Sequence, residues 1–343
     1  MSEAGGESAP AISFHDVGKR FGDDWVLRNI ELRVDPGTIV GLIGPSGCGK
    51  TTSVRLATGF YRPDEGELEV LGSAPSMLST GDRTELGYLP QHPVLFDDLS
   101  LRDNLHFHSS LNGVPFRRKR RLDELLDLVE LSDDDHKLVS ESSGGMQRRL
   151  ALAATLVHRP KILMLDEPTA GIDPILRRRF WEHFRSLRDD GVTLVISTQF
   201  VGEAADCDVV AMLAAGRVAA IGTPDELFLR AHGGQPFDVS FTDDVRAEAI
   251  RELRDHDAVV SAERIGDRVV RITTNVDAEE LQRVCSAVLP SCEVASTAAV
   301  PPDWDEVFIA LVDAPDREQT IDADGSAAEL AHESANETGE GER

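Results

Sequence analysis

At 343 residues the chain is long enough for two domains. It carries 61 acidic residues against 35 basic ones, a formal net charge of −26, and its lysines are confined to Lys19, Lys50, Lys119, Lys137 and Lys161. That balance argues against sequence-independent nucleic-acid binding, which needs a basic surface to neutralise phosphates, and it suggests a high-salt interior where screening removes self-repulsion.

In chain order, residues 1–10 (MSEAGGESAP) lack the charged and apolar segments of a secretion signal and read as disordered. Thr38-Ile39-Val40-Gly41-Leu42-Ile43 reads as a strand buried in a parallel sheet, apolar on both faces. GPSGCGKTT at 44–52 then satisfies the phosphate-loop pattern, with Gly44, Gly49, Lys50 and Thr51 at the required spacing. Glycines there let backbone N–H groups turn inward as an anion nest, and the helix that follows adds its positive end. The candidate phosphate-binding residues are therefore Gly44, Pro45, Ser46, Gly47, Cys48, Gly49, Lys50, Thr51 and Thr52. Lys50 can reach β/γ-phosphates and the Thr51 hydroxyl can ligate Mg²⁺. Cys48 reads as a small neutral filler; a thiol activated by Lys50 is the alternative.

Ser100-Leu101-Arg102-Asp103 reads as a capped helix start. Arg117-Arg118-Lys119-Arg120-Arg121 reads either as a patch for anionic lipid or as the solvated start of a helix through Leu122, Leu125, Leu126 and Val129. Ser143-Gly144-Gly145 opens a helix carrying Met146 to Val157; a serine hydroxyl with bare glycine amides is an anion receptor, or an ordinary N-cap. The apolar run Ile162–Leu165 ends on Asp166 and Glu167, putting both carboxylates at the carboxyl end of a central strand, where open α/β sheets bind ligands. Asp166 is then a candidate metal ligand and Glu167 a candidate general base, against the plainer reading of two surface acids. A further strand, Thr193–Ile196, leads into Ser197-Thr198-Gln199-Phe200.

Beyond Gly222-Thr223-Pro224-Asp225-Glu226-Leu227 the motifs stop, and 232–236 reads as a linker. Strand-like Phe237–Phe241, helix-like Val245–Arg254, strand-like Ala258–Ile265 and Arg268–Thr273, and helix-like Ala278–Leu289 follow, with a last helical piece at Trp304–Leu311. This β-α-β-β-α order predicts a small α+β sandwich with no catalytic constellation. From Ala314 the chain is acidic and poor in apolar residues, which predicts a disordered tail over 314–343. No run approaches the roughly 18 consecutive apolar residues of a membrane span. Cys48, Cys207, Cys285 and Cys292 show neither CxxC nor zinc spacing, which fits a reducing compartment.

Taken in this order, the motifs resemble those of the ATP-binding subunit of ABC transporters, over residues 11 to about 235. The resemblance implies an α/β fold: a P-loop NTPase core on a RecA-like parallel sheet, an N-terminal antiparallel β-subdomain, and an α-helical signature subdomain over about 93–145. The 236–313 segment resembles the C-terminal accessory domain of drug- and polysaccharide-exporting ABC ATPases, which end much like Asp305-Glu306-Val307-Phe308. ATP and Mg²⁺ are the implied ligands, with Glu167, Gln199 and Gln91 as catalytic residues and Thr51, Gln91 and Asp166 around the metal. Phe21 stands where an aromatic stacks on adenine, with Trp25 as the fallback. Ser143-Gly144-Gly145 would bind the γ-phosphate held by a second subunit, in a head-to-tail homodimer or a heterodimer with another ABC ATPase. Asp173 matches the loop that crosses that interface.

Three departures from the family pattern stand out: Ser142 for the usual Leu, Met146 for Gln, and Gln199 for His. A glutamine can donate a hydrogen bond but cannot titrate near neutrality, so the site is either slowed or served equally well by a neutral donor. The resemblance implies an ATPase, cytoplasmic and peripheral on the inner face of the cell membrane, that energises export through a separate permease. It implies no nucleic-acid partner and no transmembrane segment of its own. Other readings are a soluble ABC ATPase of translation or DNA repair, or a low-turnover regulatory module. The first usually needs two nucleotide domains or long coiled coils, and this chain has one phosphate loop and no extended heptads; the second draws only on Gln199.

Overall fold

The computed structural model describes residues 9–290 and 292–312; the expected disordered tail and, apart from residues 9 and 10, the expected disordered N-terminus lie outside the described residues. β1 (Ile12–Phe21) and β2 (Asp24–Val34) pair as an antiparallel hairpin. β3 (Ile39–Ile43) runs into the phosphate loop and α1 (Lys50–Ala57) leaves it. β4 (Glu65–Val70) returns to β1, giving a three-stranded antiparallel sheet in the order β2-β1-β4. A single helical turn, α2 (Thr80–Arg83), precedes β5 (Leu86–Leu89). Three helices then form a lobe: α3 (Leu101–Leu111), α4 (Lys119–Leu128) and α5 (Gly144–Leu156). β6 (Ile162–Asp166), α6 (Pro174–Asp189), β7 (Thr193–Thr198), β8 (Val209–Ala214) and β9 (Arg217–Gly222) complete a six-stranded sheet in the order β5-β6-β7-β3-β8-β9. All neighbours in it are parallel except β8 and β9.

The central strands are apolar on both sides because both sides are covered. Ile39 and Ile43 of β3, Leu163 and Leu165 of β6, and Val210 and Met212 of β8 face a core shared with α3–α6. The intervening Val40, Leu42, Ile162, Met164, Ala211 and Leu213 face the core beneath α1 and the antiparallel sheet. A period of two with no polar face is what a doubly covered parallel strand requires. Helix starts follow local chemistry: the Ser100 hydroxyl accepts from the Asp103 amide at 3.0 Å, and Asp173 Oδ1 accepts from the amides of Ile175 and Leu176 at 3.0 and 3.1 Å.

The basic run at 117–121 is not simply solvated. Arg118 is buried and donates to His106 Nδ1, the Val114 carbonyl and Ser110 Oγ, while Arg121 reaches the Leu156 carbonyl at 2.8 Å. Two of the five side chains therefore fasten α4 to α3 and α5, and a reading of the run as a solvated helix start holds only for the rest. Their long stems let a charged head find carbonyls inside the lobe.

After α7 (Pro224–His232), the chain enters a second sheet through β10 (Gln235–Phe241). α8 (Ala247–Arg254), β11 (Val259–Arg264), β12 (Val269–Thr274), α9 (Ala278–Val288) and β13 (Val294–Ala299) follow. The sheet order is β11-β12-β10-β13, all antiparallel, with a core of its own formed with α8 and α9. The observed order is thus β-α-β-β-α-β, the ferredoxin-like arrangement. The fourth strand escapes a sequence reading because Val-Ala-Ser-Thr-Ala-Ala is small and buries no residue fully.

The final helix α10 (Trp304–Val312) does not join that sandwich, although the 236–313 boundary assigns it there. Trp304, Val307 and Leu311 form a stripe at i, i+3 and i+7 that packs into the core of the parallel sheet beside Leu227 and Phe228. The chain leaves the nucleotide domain, builds a second core, and returns to the first. Replacing Trp304 by Ala should therefore destabilise the large domain by about 3 kcal/mol. Hydrogen exchange should speed up in β8 and β9 while β10–β13 keep their protection; the opposite pattern would show that α10 belongs to the small domain.

Candidate functional site

The parallel strands all end on one edge of the sheet, and the chemistry gathers there. The phosphate loop follows β3, Asp166 ends β6, Gln199 follows β7, and Gln91 lies half-buried two residues past β5. The loop's curvature depends on glycine at two places. Gly49 has φ +110°, and a Cβ on it would lie 2.3 Å from Leu27 Cδ2 of β2; a Cβ on Gly44 would lie 2.2 Å from the Leu213 carbonyl oxygen. Within the loop, Pro45, Ser46 and Gly47 are exposed, and Cys48 is buried with its Sγ 4.0 Å from Lys50 Nζ. Lys50 is itself buried and donates to the carbonyls of Gly44 and Pro45 at 2.6 and 2.9 Å, so its charge is held inside the cradle. Thr51 and Thr52, the first turn of α1, are half-buried.

A continuous hydrogen-bonded set links the loop to the two carboxylates. Thr51 Oγ1 donates to Asp166 Oδ1 at 3.1 Å, and Ser197 Oγ donates to the same oxygen. Asp166 is fully buried, and its Oδ2 has no hydrogen-bond partner. A buried carboxylate oxygen without a donor carries a large desolvation cost unless a cation faces it. A hydroxyl and one carboxylate suit Mg²⁺, which keeps several waters and binds phosphate oxygens in place of a protein cage. Among the described residues no cluster of three His, Cys, Asp or Glu forms such a cage.

Glu167 is held by its backbone at a left-handed φ of +52°, unusual for a long side chain. Its amide donates to the Ser197 carbonyl at 2.9 Å and lies 3.2 Å from Ser197 Oγ; its carbonyl accepts from Arg148 of α5. Gln199 Nε2 donates to Glu167 Oε1 at 2.5 Å, while Gln199 Oε1 accepts from Ser46 Oγ at 2.8 Å. The amide thus spans from the loop to the carboxylate, using a donor and an acceptor together, a pair that an imidazole supplies only while it is neutral.

The remaining predicted residues lie outside that network. Ser143, the N-cap of α5, accepts from the Met146 amide at 3.3 Å, and it and Gly144 and Gly145 are exposed, with open space where a Cβ would stand. Ser142 donates to the Leu138 carbonyl at 2.8 Å, so the departure from Leu affects the turn behind the signature. Phe21, at the end of β1, is 43% exposed and meets Tyr61 edge-on at 5.1 Å; Trp25 has the guanidiniums of Arg20 and Arg28 at 5.6 and 5.3 Å from its ring. Asp173 is spent on capping α6. Ser197 and Arg148 are the contributors that motif spacing does not single out; Ser197 is adjacent to the strand end and was within reach of that reasoning, whereas nothing local marks Arg148.

Among the described residues no helix is long and apolar enough to cross a membrane. A family model described as ABC transporter matches residues 27–170. The daunorubicin resistance ATP-binding protein DrrA3 of Streptomyces coeruleorubidus is 43% identical over 231 residues, 67% of this chain and 73% of that protein. The Nod factor export ATP-binding protein I of Rhizobium etli is 37% identical over 239 residues, 67% of this chain and 76% of that protein. A solved structure of the ATP-binding subunit of an ABC transporter superposes with a TM-score of 0.60 at 26% identity, over 65% of this chain and 93% of that one. A dimeric ATP-binding cassette in a post-hydrolysis state, bound to ADP and phosphate, gives 0.56 at 25% identity, over 62% and 98%. At 43% identity over 73% of the daunorubicin resistance protein, the chain belongs to the family of ABC transporter ATP-binding proteins.

Proposed function

We propose that the chain hydrolyses ATP as one half of a head-to-tail dimer, docked on a separate permease at the inner face of the cell membrane, and so energises export. The observation that carries the reading is the orphaned Asp166 Oδ2, on a carboxylate whose Oδ1 meets Thr51 at the end of the phosphate loop, while Gln199 grips the neighbouring carboxylate. The limits 11–235 for the nucleotide domain and 236–313 for the accessory segment belong to the same proposal, with α10 serving the first. Relatives named for daunorubicin resistance and Nod factor export support the outward direction.

In this reading the backbone amides of 44–52 and the N-terminus of α1 hold the phosphates, and Lys50 exchanges its loop carbonyls for phosphate oxygens. Thr51 and Asp166, with Gln91, hold Mg²⁺, which when bound neutralises charge on the phosphate oxygens. Phe21 offers its exposed ring to adenine. Glu167 takes the proton of the attacking water. Gln199 keeps Glu167 Oε1 engaged, which leaves Oε2 to meet the water. Ser143, Gly144 and Gly145 of the second copy present a helix N-terminus to the γ-phosphate, and the loop at Asp173 lies beside that contact. ATP would close the dimer; hydrolysis and release would open it and move the permease.

Lys50→Ala should abolish ATP binding. Glu167→Gln should keep binding, lose phosphate release, and accumulate an ATP-dependent dimer on light scattering. Turnover of Glu167→Gln at the parent rate would remove Glu167 as the base. Gln199→His should raise the single-turnover rate about tenfold, or about 1.4 kcal/mol in the barrier, if a chargeable donor is what the site lacks. The measurement belongs at high salt, where the charge of −26 is screened. An unchanged rate with binding intact would mean that the amide already suffices.

A further inference from the structure

Two consecutive arginines of α5 point in opposite directions. Arg149 Nη1 donates to the Val129 and Glu130 carbonyls at 2.9 and 3.2 Å, tying the helix to the end of α4 in the helical lobe. Arg148 turns the other way, leaves the lobe, and donates to the Glu167 carbonyl at the edge of the parallel sheet. Both lie about one turn beyond the Ser143 cap, so the helix that carries the signature is fastened at one side to its own lobe and at the other to the reacting edge.

What Arg148 grips is a strained residue. A glutamate at φ +52° costs of order 1–3 kcal/mol and persists only where its surroundings over-determine it. Glu167 has three restraints from outside its own turn: Ser197 on its amide, Gln199 on its carboxylate, and Arg148 on its carbonyl, which also accepts from the Ala170 amide at 3.3 Å within the turn. The first two come from β7 and the residue after it, so they move with the sheet. Only the third comes from the helical lobe. With the Glu167 amide held by Ser197, rotation about the N–Cα bond swings Cβ and the carbonyl together, so a pull on the carbonyl taken up in that torsion also redirects the carboxylate. Arg148 is half-buried with its Nε lacking any partner, a guanidinium not fully satisfied in this arrangement and able to change its hydrogen bonds without leaving the site. Burial pushes its pKa down while the charges of Glu167 and Asp166 oppose that shift.

We infer that Arg148 is a positioning residue that couples the aim of the Glu167 carboxylate to the position of the signature helix. Engagement of Ser143-Gly144-Gly145 with nucleotide on the opposite subunit would shift α5, and Arg148 would carry the shift into its own subunit's site. Hydrolysis in one site thereby depends on signature contact made at the other. This rests on the reading of Glu167 as the base.

The test compares the full-length chain with Arg148→Met, which keeps the stem and removes the donors, and Arg148→Lys, which keeps a charged donor. Single-turnover hydrolysis, ATP affinity, and the ATP-dependent dimer (in a Glu167→Gln background) are read for each. Arg148→Met should slow hydrolysis by about 10- to 100-fold, the scale of a carboxylate misaimed by an ångström. ATP affinity and the dimer should stay within about twofold, because the donor is needed only for the chemical step. Arg148→Lys should recover most of the rate. Parent-rate hydrolysis by Arg148→Met, with Glu167→Gln inactive, would overturn this inference and leave the base assignment standing. A loss of affinity and dimer in step with rate would overturn it too, since that is what a merely structural arginine gives. Parent-rate turnover by Glu167→Gln would instead remove the base assignment, and the inference with it.

Discussion

Asp166 is fully buried at the end of β6, with one oxygen held by Ser197 and Thr51 and the other held by nothing. An ionised carboxylate in that position is several kcal/mol out of balance by desolvation alone. The rest of the edge is arranged around that imbalance. The helix after the phosphate loop starts with the hydroxyl that meets the carboxylate, and the strand next to it supplies the second donor. A buried carboxylate oxygen left without a donor is a place that a cation can fill, and the phosphate-loop hydroxyl of Thr51 lies on the same carboxylate.

The parallel sheet makes the placement possible. Its strands are covered on both faces by separate cores, so their polar groups can appear only at the ends. Because β3, β6 and β7 are neighbours running the same way, their carboxyl ends bring together a loop, two acids and an amide separated by more than a hundred residues of sequence. Rigid strands fix these groups more firmly than loops would. The part that does not belong to the sheet is the helical lobe, and its hold on the edge passes through Arg148. The lobe also shares an apolar core with one face of the sheet, so Arg148 is a polar link beside a packed contact.

The accessory sandwich is fastened differently. It has its own core, yet the chain re-enters the first domain through α10, whose Trp304, Val307 and Leu311 bury against α7 and the parallel sheet. Two crossings in place of one restrain the small domain at both ends. A cleft of about 1,060 Å³ lies between its open sheet face, at Asp238 and Arg271, and the residues just after β7, including Gln199 and Phe200. The two domains therefore meet beside the amide that grips Glu167.

The amino-acid sequence by itself determined whatever is carried by neighbours a few residues apart. The phosphate loop, the capped starts at Ser100 and Ser143, the doubly apolar strands and the acids that end one of them are all local chemistry, and each was legible as such. Gln199 was legible as a departure, though not that its amide reaches both Ser46 and Glu167. The tertiary structure alone decided which distant groups meet. Nothing in the residues around Arg148 distinguishes it from Arg149, and their opposite directions follow from where the lobe sits on the sheet. The last helical piece was legible as a helix, but not which core buries it. β13 gave no signal because small residues at a sheet edge bury too little to alternate. Motifs are visible when their free energy is local; contacts whose free energy comes from packing two remote elements have no local trace, and only the folded topology assigns their partners.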